Sequence, residues 1–401
     1  MSRVDDPPAR GTRPRNRREI TIAAASDLFY RRGYPAVSMS DIAAAMNVGA
    51  SAIYRHFGSK SELLVAAIRS GLLPYKQVIE AWPRTDAEGT AGLDRLVRWM
   101  AEVGLDHREL GVLWQREGRN LDELDQRILR DELTALTGGL AGYLMQARPD
   151  LDAAQADFLA WCAMGTLVSV GFHSLVLRRD RYIDLLSSIV DTVLTTELRG
   201  DVAGASAPEP QPVEAATRRD ALVAEAIELF AERGYGGVGI DDIADAAGIA
   251  GPSIYSHFTS KQKILAEAIR RGNDVLQRDA AAALEAQSSP QDTLARLVDS
   301  FIAVALGNRF LIRVVLSELD QLDAEDWDFA LRAQREYVST WSRLLEAFGD
   351  TDATSARIRV QAVLLVVNDA VQTPHLRARP ELERWLRRVA RRMLEIPADN
   401  R

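Results

Sequence analysis

The chain has 401 residues, 47% of them hydrophobic and 26% charged, with a formal net charge of −8. That length suits two units of about 200 residues, and the composition is that of an ordinary globular protein. The acidic balance excludes a surface that is positive all over, but not a basic face in one region, which is what matters for nucleic acid. No apolar run reaches the roughly 18 residues a membrane span needs, and the strongest candidate, 362–370, carries Asn368 and Asp369. The first residues, MSRVDDPPARGTRPRNRRE, lack the apolar core of a secretory signal. Asp5, Asp6, Pro7, Pro8, Gly11 and Pro14 oppose a basic amphipathic presequence. Cys162 is the one cysteine, so no disulfide framework or thiolate metal site is expected and a reducing cytoplasm is the simplest home.

Residues 1–15 read as a basic arm, with Arg13, Arg15 and the adjoining Arg17 able to reach a minor groove or to remain a solvated tail. Apolar residues then recur at spacings of three and four almost everywhere, which predicts an all-α chain. Helices are expected near 16–32, 39–46, 51–57 and 60–72. Longer ones are expected near 89–104, 107–118, 122–147, 152–177 and 181–198. Residues 200–217, GDVAGASAPEPQPVEAAT, have no apolar periodicity and read as an extended linker. The same order of helices follows, ending with an Arg-rich helix near 380–395.

The second half repeats the first. Without any gap, residues 17–69 match 218–270 at 24 of 53 positions, an offset of 201. Such agreement marks duplication. The register persists more weakly beyond, where Leu110 falls on Leu311, Glu117 on Glu318 and Leu144 on Leu345. The expected domains are a head at 16–60, a body at 61–199, a second head at 218–261 and a second body at 262–401.

Within the first head, Ser38 or Ser40 can cap a short helix, DIAAAM. That helix stops at Asn47, where a sharp turn needs positive φ; the second copy has Gly248 there. Ile53 and Phe57 fall on the buried side of the next helix, with Tyr54 and His56 leaning outward. This is the pattern of a helix-turn-helix whose second helix can enter a major groove.

The strings LFYRRGY (28–34), DIAAAMNV (41–48) and IYRHFGSKSELL (53–64) resemble the DNA-binding head of the TetR (tetracycline repressor) family. They return as LFAERGY (229–235), DIADAAGI (242–249) and IYSHFTSKQKIL (254–265). The arrangement is similar to a double-headed group of actinobacterial regulators in which two such units are fused. LWQREGRNL (113–121) resembles the bodies of lipid and sterol regulators, including those of lipid-import operons. Arginine in place of lysine, with abundant alanine, hints at a GC-rich bacterial genome.

The resemblance implies DNA-facing roles for Ser38, Gly49, Ala50, Ser51, Tyr54, His56 and Lys60, and in the second head for Gly251, Pro252, Ser253, Tyr255, His257 and Lys261. Hydroxyls and helix N-terminal amides suit phosphates, and Tyr54 and His56 suit phosphate or a thymine methyl. Either ring could instead pack locally. The heads differ: residues 17–69 carry seven basic and four acidic residues, and residues 218–270 carry six and eight. Ser38, Ser40 and Arg55 become Gly239, Asp241 and Ser256, so the first head is expected to bind more strongly.

The resemblance further implies a double-stranded DNA operator, not truly palindromic, and a small hydrophobic effector, acyl- or sterol-like, that releases it. The two halves would form an intramolecular pseudo-dimer, with 152–177 and 181–198 facing 353–372 and 380–395 and further self-association on DNA left open. Candidate effector contacts are Trp99, Trp114, Gln115, Arg116, Arg119, Tyr143, Trp161, Phe172 and Trp341; the bland reading of the aromatics is plain core. The polar run 115–119 is either a gate for an anionic end or a salt-bridged corner. No cofactor, metal ligand or catalytic residue is expected, because the five histidines lack metal spacing and no phosphate loop or nucleophile elbow appears. An all-α enzyme, or a scaffold with one working head, are the rival readings.

Overall fold

The computed structural model describes residues 17–81, 89–200, 217–285 and 289–397. Arg13, Arg15 and nearly all of the expected linker lie outside the described residues. Every regular element within them is helical. The contacts divide the chain into one unit ending at Ala147 and a second beginning at Arg148.

The first unit starts with α1 (Arg17–Arg32), α2 (Met39–Ala45) and α3 (Ala50–Tyr54), followed by α4 (Lys60–Ala81). Phe29, Ile42, Ile53 and Phe57 are wholly buried and supply the core of the head. The expected stop of α4 at residue 72 is corrected: the helix runs through Pro74 to Ala81. Proline removes one helical donor, but Ser70, which loses that partner, is exposed, while Tyr75, Val78 and Ile79 bury the continuation. Then come α5 (Gly89–Asp106), α6 (Glu109–Val112) and α7 (Glu123–Ala147). The expected helix near 107–118 is irregular, because α6 widens into a π turn over Leu113–Glu117 and tightens into a 3-10 turn over Gly118–Asn120.

The second unit opens with α8 (Ala153–Val168) and α9 (Arg179–Leu194). The expected helix over 152–177 is shorter because a 3-10 turn over Ser169–Phe172 ends it. The Ser169 hydroxyl donates to the Thr166 carbonyl at 2.7 Å, and that of Thr166 to Cys162 at 2.9 Å, competing with regular helix bonding. This stretch, Ala153–Phe172, is also apolar and long enough by composition for a membrane span, which corrects the choice of 362–370. Some 78% of its most apolar window is buried within the protein, as in a core helix.

The second head follows with α10 (Arg218–Arg233), α11 (Ile240–Ala246), α12 (Gly251–Ile254) and α13 (Lys261–Glu285). Its core, with Phe230, Ile243, Ile254 and Phe258, continues into the body through Val314 and Ala330. The body adds α14 (Pro290–Gly307), α15 (Arg309–Ser317), α16 (Ala324–Phe348), α17 (Ala353–Gln372), α18 (Pro374–Arg377) and α19 (Leu382–Met393).

Packing does not follow the repeat. The last two helices of the first half, α8 and α9, lie against α17 and α19 within the second unit. Their faces are too apolar to be left in water: Phe158, Leu159, Ile189 and Val190 are wholly buried. A Cβ built on Gly165 would sit 3.3 Å from Val366 Cγ2 and 3.9 Å from Asp369 Oδ2. Phe158 and Trp385 rings meet at 5.2 Å, and Arg388 donates to the Glu197 carbonyl at 3.2 Å. His375 Nε2 lies 3.1 Å from Asp157 Oδ2, with the Trp161 ring beside the imidazole.

Candidate nucleic-acid interface

The first head is built around a capped helix and a left-handed turn. The Ser38 N–H donates to Asp41 Oδ2 at 2.7 Å, and the Asp41 N–H donates to the Ser38 hydroxyl at 3.1 Å. Ser38 is therefore the cap of α2, and its hydroxyl and then its N–H, both donated to Asp41 Oδ2, hold that carboxyl below its usual range. After α2 the chain turns at Asn47 with φ 55°, and Gly248 does the same with φ 65°. The Val48 N–H then donates to the Ala43 carbonyl at 3.0 Å, and Ile249 to Ala244 at 2.9 Å, so both copies close an identical turn.

That turn points α3 and α12 outward. Tyr54 is 55% exposed and Tyr255 56%, while Ile53 and Ile254 just before them are buried. Each ring thus leaves the head at the same place with no core role. Gly49, Ser51 and His56 are exposed and Ala50 is half-buried. In the second copy Pro252 and Ser253 are exposed, with Gly251 and His257 half-buried. Arg17 is half-buried at the start of α1, and Arg18 lies over the Phe57 ring at 5.0 Å. Arg219 covers Phe258 at 4.0 Å and donates to the His257 carbonyl at 2.7 Å.

Lys60 and Lys261 are tied to backbone carbonyls within their own heads. Lys60 Nζ donates to the Tyr34 and Val37 carbonyls, each at 2.9 Å, and lies 4.1 Å from the centre of the Tyr34 ring. Lys261 repeats this with Tyr235 at 2.7 Å and Val238 at 2.6 Å. Burial pushes both ammonium groups down, against the opposing charges of Glu117 and Glu318. Both lysines are struts that join the start of the support helix to the end of the first helix.

The heads differ in charge at the groove helix itself. A Cβ on Gly251 would lie 3.4 Å from the Asp241 carboxylate, so α12 begins beside a negative charge. Ser40 occupies that position in the first head, and Ser256 replaces Arg55.

The expected effector residues fall in two groups. Trp99, Trp114, Gln115, Arg116, Arg119 and Tyr143 belong to the first unit; Trp161, Phe172 and Trp341 belong to the second. Trp99 is 46% exposed, and the Tyr143 hydroxyl donates to the Ile79 carbonyl at 3.2 Å. Trp114, Gln115, Arg119 and Phe172 are half-buried. Trp161 packs on His375, and Trp341 fills the second body against Phe301 and Tyr337. The Arg116 guanidinium donates to Glu117 Oε1 at 2.6 Å and to the Tyr30 carbonyl at 3.2 Å, toward the head.

Glu117, noted in the sequence but not placed among the candidate site residues, joins head and body. It is 2% exposed, and its Oε2 accepts the Tyr34 N–H at 2.9 Å. Glu318 is 1% exposed and accepts the Tyr235 N–H at 3.3 Å. The signal was present in the register, because these two acids match at the offset of 201 where the bodies otherwise diverge. Among the described residues no group of three or more His, Cys, Asp or Glu is placed to hold a metal ion.

Two helix-turn-helix heads, each carried on helices, define a double-headed protein of the nucleic-acid-binding type. Residues 22–67 and 222–268 both match "Bacterial regulatory proteins, tetR family". The chain belongs to that family, with two fused units. It is 32% identical over 137 residues, 34% of its own length, to the HTH-type transcriptional repressor KstR2 of Mycolicibacterium smegmatis. It is 36% identical over 84 residues, 21% of its length, to the HTH-type transcriptional activator FasR of the same species. These matches span 66% and 38% of those relatives' own lengths. A KstR2 of Rhodococcus jostii is 28% identical over 183 residues, which is 45% of this chain and 90% of that relative.

Proposed function

We propose that this chain is a DNA-binding transcriptional regulator, acting as a repressor, that grips an operator of two unlike half-sites and is released by a small hydrophobic effector. The observation that carries the reading is the pair of outward tyrosines, Tyr54 and Tyr255, each set on a groove helix after a left-handed turn. A ring exposed without a packing role, at the same place in both heads, suits a phosphate or a base edge. The unlike charges beside α3 and α12 support unlike half-sites and a stronger first head. Packing of α8 and α9 on α17 and α19 supports an intramolecular pseudo-dimer. The effector reading rests on the apolar helices of the bodies and their interspersed aromatic side chains.

A footprint on the DNA upstream of the chain's own gene tests the proposal. Protection of one segment with two dissimilar halves, weakened by salt, is the expected result. Binding without sequence preference would sink the regulator reading, and two identical half-sites would sink the unlike heads. A second reading, in which only the first head touches DNA, is favoured by the Asp241 carboxylate beside Gly251. Under it, Tyr255→Ala leaves the footprint and affinity unchanged.

A further inference from the structure

In each copy one tyrosine at the end of the head's first helix is held at both its backbone groups. Glu117 takes the Tyr34 N–H and Lys60 the Tyr34 carbonyl; Glu318 and Lys261 do the same for Tyr235. The residue before each, Gly33 or Gly234, has φ of 77° or 72°, so the chain turns sharply there. The carboxylates come from the body and the lysines from the head's support helix. A buried carboxylate is costly unless its oxygens are hydrogen-bonded, and both oxygens of Glu117 are, one by Tyr34 and one by Arg116, so this contact is stiff.

The same seat is built twice. A Cβ on Gly71 would meet Leu110 Cδ1 at 3.0 Å, and one on Gly272 would meet Val315 Cγ2 at 3.0 Å and Leu311 Cδ1 at 3.3 Å. The missing side chain lets α6 and α15 press on α4 and α13 just ahead of the two acids. The copies differ beside the acid, where Ser317 stands in place of the Arg116 that reinforces Glu117 and reaches the Tyr30 carbonyl.

We propose that Glu117 and Glu318 are positioning residues, each latching one head to its own body through the Gly-Tyr turn and so carrying a change in the body to the groove helix. The idea rests on the regulator reading above for its use, though not for its existence. Val37 and Val238, whose carbonyls the same lysines hold, lead directly into α2 and α11. Release of the turn therefore frees the helix-turn-helix rather than a distant loop. The first latch is the tighter, with a 2.9 Å bond against 3.3 Å and an added guanidinium.

Hydrogen exchange of the full-length protein, read by mass spectrometry, tests the latch without any DNA. Glu117→Ala is expected to speed exchange over residues 30–37, and Glu318→Ala over 231–238, each by about tenfold and each in its own copy alone. Glu117→Gln and Glu318→Gln keep a carbonyl acceptor and stay close to the parent. Parent-like exchange in both alanine variants overturns the proposal, as does a glutamine variant that melts like the parent yet exchanges like alanine. On a duplex from upstream of the gene, the alanine variants should bind about tenfold more weakly and the glutamine variants normally. Faster exchange with unaltered binding refutes the transmission role. A parent that shows no sequence preference on that duplex sinks the regulator reading and the transmission role together, while the exchange data still decide the latch.

Discussion

Gly165 of α8 and Val366 of α17 approach so closely that a single added methyl would stand 3.3 Å from the valine's Cγ2 and 3.7 Å from its Cα. Helices meet this tightly only where one side presents no side chain, and the neighbouring core of Phe158 and Leu159 leaves no free volume. Gly165→Leu is expected to lower stability by about 1–3 kcal/mol, and Gly165→Ala by less. The midpoint of urea unfolding checks it, and an unchanged midpoint for the leucine variant would show that the helices separate at no cost.

Asp369 lies in the same seam, and burial pushes its carboxyl from the ordinary 3.8 up to about 7. A carboxyl that stays protonated in the folded chain while it ionises in the unfolded chain makes stability fall as pH rises. The loss begins near pH 4 and is complete just above pH 7. Asp369→Asn removes this dependence, so the variant should gain on the parent at pH 8 and differ little at pH 4. Chemical denaturation at the two pH values decides the matter, and an equal difference at both would refute it.

The heads are ranked by charge, and the ranking is open to measurement. Tyr54→Ala should weaken operator binding by about tenfold or more, and Tyr255→Ala by less. Arg55→Ser should lower the slope of log affinity against log salt by about 1. Asp241→Ser, which takes a negative charge away from the start of α12, should tighten binding by roughly threefold. Equal losses from the two tyrosine variants would contradict the ranking.

Asn47 holds φ at 55° where the other copy uses glycine. Asn47→Gly should leave the thermal midpoint nearly unchanged, because both residues tolerate that backbone. Asn47→Val, whose branched Cβ does not, should cost about 1–3 kcal/mol. A valine variant as stable as the parent would mean that the turn relaxes to another shape.

The heads are legible in the sequence because their constraints are local. A turn needing positive φ selects Asn47 and Gly248, and the alternation of Ile53 and Phe57 with Tyr54 sets the buried side of a short helix. Glu117 and Lys60 are harder to read, since their partners lie 83 and 26 residues away. An acid in the run Gln115–Arg119 and a lysine at a helix start both look solvated until the fold closes on them. The true end of α4 is hidden for the same reason: proline's local rule ends a helix, while the core on either side of Pro74 keeps α4 continuous. The seam between α8 and α17 is visible only as apolar faces, without any indication of how close Gly165 lets them come.

The Gly165–Val366 contact sets a glycine against a larger residue. Counted from their caps, Asp152 and Asp352, α8 and α17 match Gly165 with Leu365, and at the repeat's offset of 201 with Val366 itself, so by either count a glycine is matched by a larger residue. Asp157, which meets His375, has Arg357 at the matching level. In a pair of identical subunits every substitution appears twice and must suit both of its appearances. Here each appears once, so the two surfaces can drift apart, one turning smaller as the other turns larger. A seam formed within one chain is under no obligation to be its own complement.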